Sequence, residues 1–328
     1  MGERYEKNLI LIIIILLLNI IASNSTDFAS WYATNVSKIF VNTIGRISSI
    51  MPFSIFEWLV IILVIGLLAI TIKYRSITLI VRYLLVTILI FTLTTGINYH
   101  RMPLEKEMSF THLEYNNDDL KKLCNYITDK LINLKADEIS IEKIHSEAKI
   151  AMNKIIPGYY PNPKPMFFSK LMTMGNLSGI FSPFTIEANY NKDMPTYNKP
   201  FSICHEFSHL AGYMAEDEAN FLAYLACINS NNAYFNYSGY LTAFVYVTNA
   251  LNSNNIDVSE YYDRLPDNII SELQKNNKFW QQYNNIFASI TDSINDTYLK
   301  INSVSKGTGS YSMFVDLLYS YCVDQELF

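Results

Sequence analysis

Charge is scarce in this 328-residue sequence: 17% of residues are Asp, Glu, Lys or Arg, against about a quarter in soluble domains. The shortage is local. Up to about Asn98 charges are sparse, and after Arg101 the chain reads as an ordinary globular sequence. Cysteine is scarce too. Cys124, Cys204, Cys227 and Cys322 stand far apart with no CxxC pair, which argues against a disulfide framework or a cysteine-based metal site and leaves four small apolar core residues. A net charge of −5, and no basic stripe interleaved with aromatics, give no footprint for a nucleic-acid partner. There is no internal repeat and no low-complexity tail. Histidine is also rare, five in all, yet two lie four residues apart.

What the sequence does hold is apolar runs. Leu9 to Ala22 is interrupted only by Asn19, Trp58 to Ile72 ends at Lys73, and Leu79 to Ile97 contains Arg82 near its start. A helix crosses a bilayer with about 20 apolar residues, so the third run suffices and the first two recruit neighbours such as Ser23 and Phe56. The expected spans are about 8–23, 57–73 and 78–98, a membrane anchor over 1–100 with a connecting loop over 24–56, followed by a second domain over 101–328. Arg4 and Lys7 would also open a signal peptide, but "IIASNST" is a poor cleavage site, and an uncleaved anchor is the expectation. Lys73 and Arg75 in the short turn "KYRS", with Arg82 nearby, place that turn in the cytoplasm. The expectation is a multi-pass protein of the plasma membrane whose loop and C-terminal domain are extracytoplasmic. Apolar residues recur in the loop at helical spacing, as in an amphipathic helix on the outer surface or a packed connector. A transporter is poorly supported by three spans whose apolar runs hold one charged residue, Arg82, near an end.

Helical patterns dominate the rest. "NNDDLKKLCNYITDKLINL" sets Leu120, Leu123, Cys124, Ile127, Leu131 and Leu134 on one face after a capping Asn or Asp, and "SIEKIHSEAKIAMNKII" does the same with Ile141, Ile144, Ala148, Ala151 and Ile155. "PGYYPNPKP" is a breaker-rich linker. "MFFSKLM" and "GIFSPFTIEANYN" read as strands. Helices are expected again over about Phe235–Leu251, Pro266–Lys275, Asn277–Asn302 and Tyr311–Cys322. The fold class is therefore three N-terminal transmembrane helices plus a mostly α-helical α+β domain with one small β-sheet.

The chemistry concentrates in "FSICHEFSHLAGYMAEDEANFLAYLAC". His205, Glu206 and His209 form an H-E-x-x-H pentapeptide. Residues i and i+4 of a helix share a face, so both imidazoles can reach one metal ion while Glu206 stands ready to take a proton from a metal-bound water. Pro200 suits the first turn of that helix. A catalytic Zn2+ site takes three protein ligands and leaves a position for water, so a carboxylate should follow. One unbroken helix would carry Glu216 about 10 Å past His209; a turn at Gly212 is required. Glu216 and Glu218 both remain candidates, since acids at a helix start also answer to its dipole.

With these residues in hand, the segment resembles the E-x-x-A-[DN] element that follows HExxH in several bacterial metallopeptidase clans. The resemblance implies Glu216 as the third ligand, with Glu218 the fallback, and Asn220 as support for a ligand histidine. Taken with "PFSIFEWL", "GIFSPFTIEANYN" and "NDTYLKINSVSKGTGSYSMFVDLL", the chain resembles nearly end to end a bacterial membrane family of unknown function, DUF3810, and so implies a zincin-like domain of gluzincin type. Oxyanion donors, Tyr298 and Tyr311 with Lys300, are suggested only by that family-like block. His100, His112 and His145 have no context that singles them out. The strand "SPFTIEANYN" could lie beside the cleft with Glu187 and Asn189 facing a groove, or show them to solvent on an edge. The expected function is a membrane-anchored zinc endopeptidase acting on a peptide or protein substrate, with Glu206 activating the nucleophilic water. The alternative is a non-catalytic zinc-binding sensor or assembly protein of the cell envelope.

Overall fold

The computed structural model describes residues 2–283 and 310–328. The chain opens with α1 (Gly2–Asn24), α2 (Thr26–Trp31), α3 (Ser37–Ser49), α4 (Ile55–Ala69) and α5 (Ile77–Thr94). Three stretches are long and apolar enough to cross a membrane: Tyr5–Asn24, Ile55–Tyr74 and Ile77–Thr94. The third stops at Thr94, short of the expected 98, because Gly96 begins a tighter turn, Gly96–His100, that packs against α1 and α2. Asn8 Nδ2 donates to the Thr78 carbonyl at 3.1 Å and Arg82 Nε donates to Asn8 Oδ1 at 3.1 Å. These bonds put the start of α1 at the same end as the α4–α5 turn, so Lys7, Lys73, Arg75 and Arg82 gather there.

At the opposite end, α2 and α3 join the soluble domain. Ser25 caps α2 by accepting the Phe28 N–H. On α3, Ser37, Val41, Gly45 and Ser48 are buried, while Ile39 and Ile47 are exposed. The segment is thus both amphipathic and packed, and Val41 belongs to the main core of the domain.

Beyond the short α6 (Leu104–Glu107), α7 (Asn117–Asn133) starts from a capping box between Asn116 and Asp119, and α8 (Ile141–Ile155) from Ser140. Leu120, Leu123, Cys124, Ile127 and Leu131 are fully buried on α7, as their spacing demands. A small sheet follows: β1 (Lys164–Pro165), then α9 (Ser169–Met174), β2 (Gly179–Ser182) and β3 (Glu187–Tyr190), in the order β1-β3-β2. β1 runs parallel and β2 antiparallel to β3.

Two expectations fail here. "MFFSKLM" is not a strand; the ladder ends at Met166, the Glu57 carboxylate takes the N–H groups of Phe167 and Phe168, and a helix starts at Ser169. Glu187 and Asn189 face neither groove nor solvent, because β3 is the central strand and both are fully buried. Glu187 accepts the N–H groups of Ile55 at 3.1 Å and Phe56 at 2.9 Å, binding the first turn of α4. Asn189 donates to the carbonyls of Ile180 and Glu187.

The remaining helices are α10 (Asn198–Leu210), α11 (Glu216–Ile228), α12 (Ala233–Ser253), α13 (Ser259–Asp263), α14 (Asp267–Gln281) and a C-terminal helix, Ser310–Asp324. α14 runs unbroken through the point where two helices were expected; the predicted stretch to Asn302 extends outside the described residues. Buried nearly all round, α11 is enclosed by α8, α10, α12 and the C-terminal helix. All four cysteines are buried and free.

Candidate metal centre

The two helices that carry the site meet through one turn. α10 ends at Leu210, and Gly212 takes φ +93°, a conformation that side chains with a Cβ resist. The Gly212 N–H donates to His209 O and the Tyr213 N–H to Ser208 O, the paired bonds of a Schellman ending. The reversal brings α11 back so that Glu216, its first residue, faces the helix just left. It also aims the Tyr213 carbonyl at His209, whose Nδ1 donates to it at 2.8 Å. Arg101, just past the third span, clamps the turn. Its guanidinium lies 3.7 Å from the Tyr213 ring centroid and pairs with Glu107 at 2.8 Å.

His205, His209 and Glu216 each point an atom into one spot, all within 4.8 Å of one another. His205 Nε2 lies 3.1 Å from His209 Nε2 and 3.2 Å from Glu216 Oε2; His209 Nε2 lies 3.7 Å from Glu216 Oε1. The outer nitrogens are committed. Asn220 Oδ1 accepts from His205 Nδ1 at 2.8 Å, and the Tyr213 carbonyl can only accept. Both rings therefore turn Nε2 toward each other beside a carboxylate, where one positive charge, a proton on His205 shared with Glu216 or a bound cation, relieves the repulsion of their lone pairs.

The electrostatics agree. Burial opposes charge on His205, but the hydrogen bond and charge of Glu216 outweigh it and raise its pKa to about 9. Burial drives His209 down to about 4. Two imidazoles and one carboxylate, each with its outer atoms held, fit a zinc ion with a coordination position left over.

Glu218 is directed elsewhere: its Oε1 accepts the Leu104 N–H at 2.6 Å. Glu206 stands beside the cluster, 4% exposed. Burial pushes it up to about 8; His205 lowers it, the Glu216 charge raises it, and a backbone hydrogen bond from Phe181 lowers it. It is seated against β2, where a Cβ on Gly179 would fall 2.3 Å from its Oε1. Only glycine leaves room for that carboxylate.

These groups line a cleft of about 750 Å³ whose walls include Gly179 and Phe181 of the edge strand, Trp280 of α14, and Thr95 and Tyr99 from just beyond the third span. Tyr246 of α12 stands there too, hydrogen-bonded to Asn220 Nδ2 at 3.4 Å, its hydroxyl pKa raised well above the usual value by burial and then by Glu216. Ser202 Oγ lines the same cleft and is buried with no hydrogen-bond partner among the described residues. Sequence reasoning did not reach Gly179, Ser202 or Tyr246. Only the position of Ser202, one turn before His205 on the same helix face, carried a signal. Of the suggested oxyanion donors, Tyr298 and the side chain of Tyr311 lie outside the described residues, as does Lys300.

Comparison with curated proteins and with solved structures finds no match in either. A family profile described as "Protein of unknown function (DUF3810)" matches residues 32–319. By that match, which spans most of its length, the chain belongs to the DUF3810 family.

Proposed function

We propose that the protein is a membrane-anchored, zinc-dependent endopeptidase that hydrolyses peptide bonds of a peptide or protein substrate outside the cytoplasmic membrane. The observation that carries this reading is the convergence of His205, His209 and Glu216 beside a separate buried carboxylate, Glu206, which no ligand geometry needs. A purely structural zinc site would use four protein ligands and no such base. A zinc ion held by the three residues would acidify water and polarise a carbonyl.

The protein's own residues supply the rest. Glu206 takes a proton at its carboxylate from the attacking water and returns it to the leaving amine. Asn220 and the Tyr213 carbonyl fix the two rings. The Tyr246 hydroxyl, kept protonated by burial, is the donor we assign to the developing oxyanion. An extended substrate adds to the free side of β2, which is the edge of the sheet and lines the cleft.

The orientation rests on the basic end. Lys7, Lys73, Arg75 and Arg82 cluster at one end of the spans and the cleft stands at the other, so the basic end faces the cytoplasm and the cleft does not.

Glu206→Gln tests the enzyme reading. It should keep stoichiometric zinc in detergent-purified protein and abolish hydrolysis of an unfolded protein substrate. A wild type that holds zinc but is no more active than this variant would instead make the protein a non-catalytic zinc-binding component of the envelope.

A further inference from the structure

Besides the spans and the segment joining the first two, large apolar side chains are exposed near the spans on the segment that follows β1. There Phe167 is 70% exposed, Phe168 39% and Leu171 54%. Three such residues on one short segment are unusual on a water-facing surface. The segment is firmly held. Ser169, fully buried, donates to Met166 O at 2.8 Å and accepts the Lys192 N–H at 2.9 Å, and Met172 fills the core side.

Its position relative to the spans is fixed by hydrogen bonds. The N–H groups of Phe167 and Phe168 donate to the Glu57 carboxylate at 2.8 and 2.7 Å. Glu57 lies in the first turn of α4, two residues into the second candidate span, Ile55–Tyr74. Lys164, two residues before Met166, bonds to the Met51 carbonyl just ahead of that span. Exposed Ile50, Met51 and Phe53 stand in the same approach. The interfacial layer is roughly 5–8 Å deep on each side of the hydrocarbon, so a ring hung from the end of the span lies within it. The polar neighbours suit that depth. The Lys192 ammonium sits 5.2 Å from the Phe167 ring centroid and donates to its carbonyl at 3.3 Å, and Lys170 is exposed beside it. A basic group over an apolar wedge is the pattern of side chains that reach between lipid tails and headgroup phosphates.

We propose that Phe167, Phe168 and Leu171 form a non-spanning membrane contact, a ridge seated in the lipid interface beside the outer end of the second span. The occupant is the bilayer around that span, because the Glu57 carboxylate in the span's first turn holds the ridge at the span's end. Since Gly179 of the cleft wall follows α9 by five residues, the ridge also holds that wall at the membrane surface. The ridge needs neither metal nor turnover.

The test uses the full chain in phosphatidylcholine vesicles. The four natural cysteines are buried, so Phe167→Cys, and separately Leu171→Cys, can be labelled with an environment-sensitive fluorophore. Ile132→Cys, on α7 away from the spans, is the water-facing control. Emission from the ridge labels should be blue-shifted against the control. It should fall about twofold when the lipids carry a quencher at a shallow acyl position, as expected for burial of 5–10 Å into the boundary. A water-like spectrum at both ridge sites would overturn the proposal. So would a blue shift that lipid quenchers leave untouched, since another protein surface would then cover the ridge. Should one variant fail to insert, the other gives the same readout.

Discussion

Gly179→Ala is a small change with a large expected effect. The added methyl carbon would stand 2.3 Å from Glu206 Oε1, 2.7 Å from its Cγ and 2.8 Å from its Cδ. Relief to a tight 3.0 Å contact requires the oxygen to retreat about 0.7 Å, and ordinary packing requires more than 1 Å. The backbone on both sides is held, Gly179 by its pairing with Tyr190 in the sheet and Glu206 within α10, so the Glu206 side chain is what gives. The carboxylate must therefore turn away. Gly179 does not have positive φ, so alanine brings no backbone strain of its own. A displacement near 1 Å in a catalytic group costs on the order of a hundredfold in rate, and overpacking costs about 1–3 kcal/mol of stability. The proposed ligands His205, His209 and Glu216 are untouched. The expected result is a loss of turnover of about two orders of magnitude with metal content unchanged and a modest drop in Tm. Measuring hydrolysis of an unfolded protein alongside bound zinc separates these effects. Wild-type turnover from a folded Gly179→Ala protein would refute the assignment of Glu206 as the base.

Three further outcomes follow from the geometry. Glu216→Ala should lose bound metal, whereas Glu218→Ala should keep it and lose about 1–3 kcal/mol of stability, because the Leu104 N–H is left without an acceptor; metal analysis of both variants would expose a reversed ranking. Burial lowers the His145 pKa from 6.5 to about 4, so the unfolded chain binds more protons between those values and the stability His145 confers above pH 6.5 is lost as pH falls toward 4. Discounted for the ring's partial exposure, this amounts to on the order of 1–2 kcal/mol; His145→Phe should melt less steeply with acid than wild type, and parallel Tm curves from pH 7 to 5 would contradict the sign. A fragment beginning at Arg101 should lack a cooperative melt, since it strips Val41 from the core and the two N–H donors from buried Glu187; a melt matching the full chain would count against that interlock.

Much of the site was legible because it is local. The spacing of His205 and His209 specifies one helix face, Gly212 specifies a reversal, and an acid placed at the next helix start specifies where a third ligand can come from. Each reading needs only a few consecutive residues, as does the capping of α7 by Asn116. What escaped is non-local. Gly179 gives no sign of its neighbour, since glycines in strands and turns all look alike until Glu206, in another element, fills the space. Tyr246 is one tyrosine among 24, and only the packing of α12 against α11 selects it. "MFFSKLM" shows the aromatic run of a strand, yet the acceptor that ends the ladder, Glu57, lies 110 residues earlier.

The same non-local bonds bear on how the anchor and the site relate. In sequence, the change in charge density near residue 100 divides membrane from soluble chain, and the division invites a picture of a tethered, separable domain. The hydrogen bonds cross that division repeatedly. Glu187 holds the start of the second span, Glu57 of that span holds Phe167 and Phe168, and Arg101 after the third span grips the turn between the two ligand-bearing helices. Buried carboxylates accepting backbone N–H groups are among the stronger hydrogen bonds a protein makes, because the acceptor is charged and the medium is poorly screening. Breaking one leaves an acid unpaired in the interior. The spans thus do more than tether: they supply partners without which Glu187 is a buried, poorly satisfied carboxylate. The cleft, with Thr95 and Tyr99 in its wall, is built partly from residues just beyond the third candidate span. Under the proposed function, a substrate would therefore reach the cleft at the surface of the bilayer.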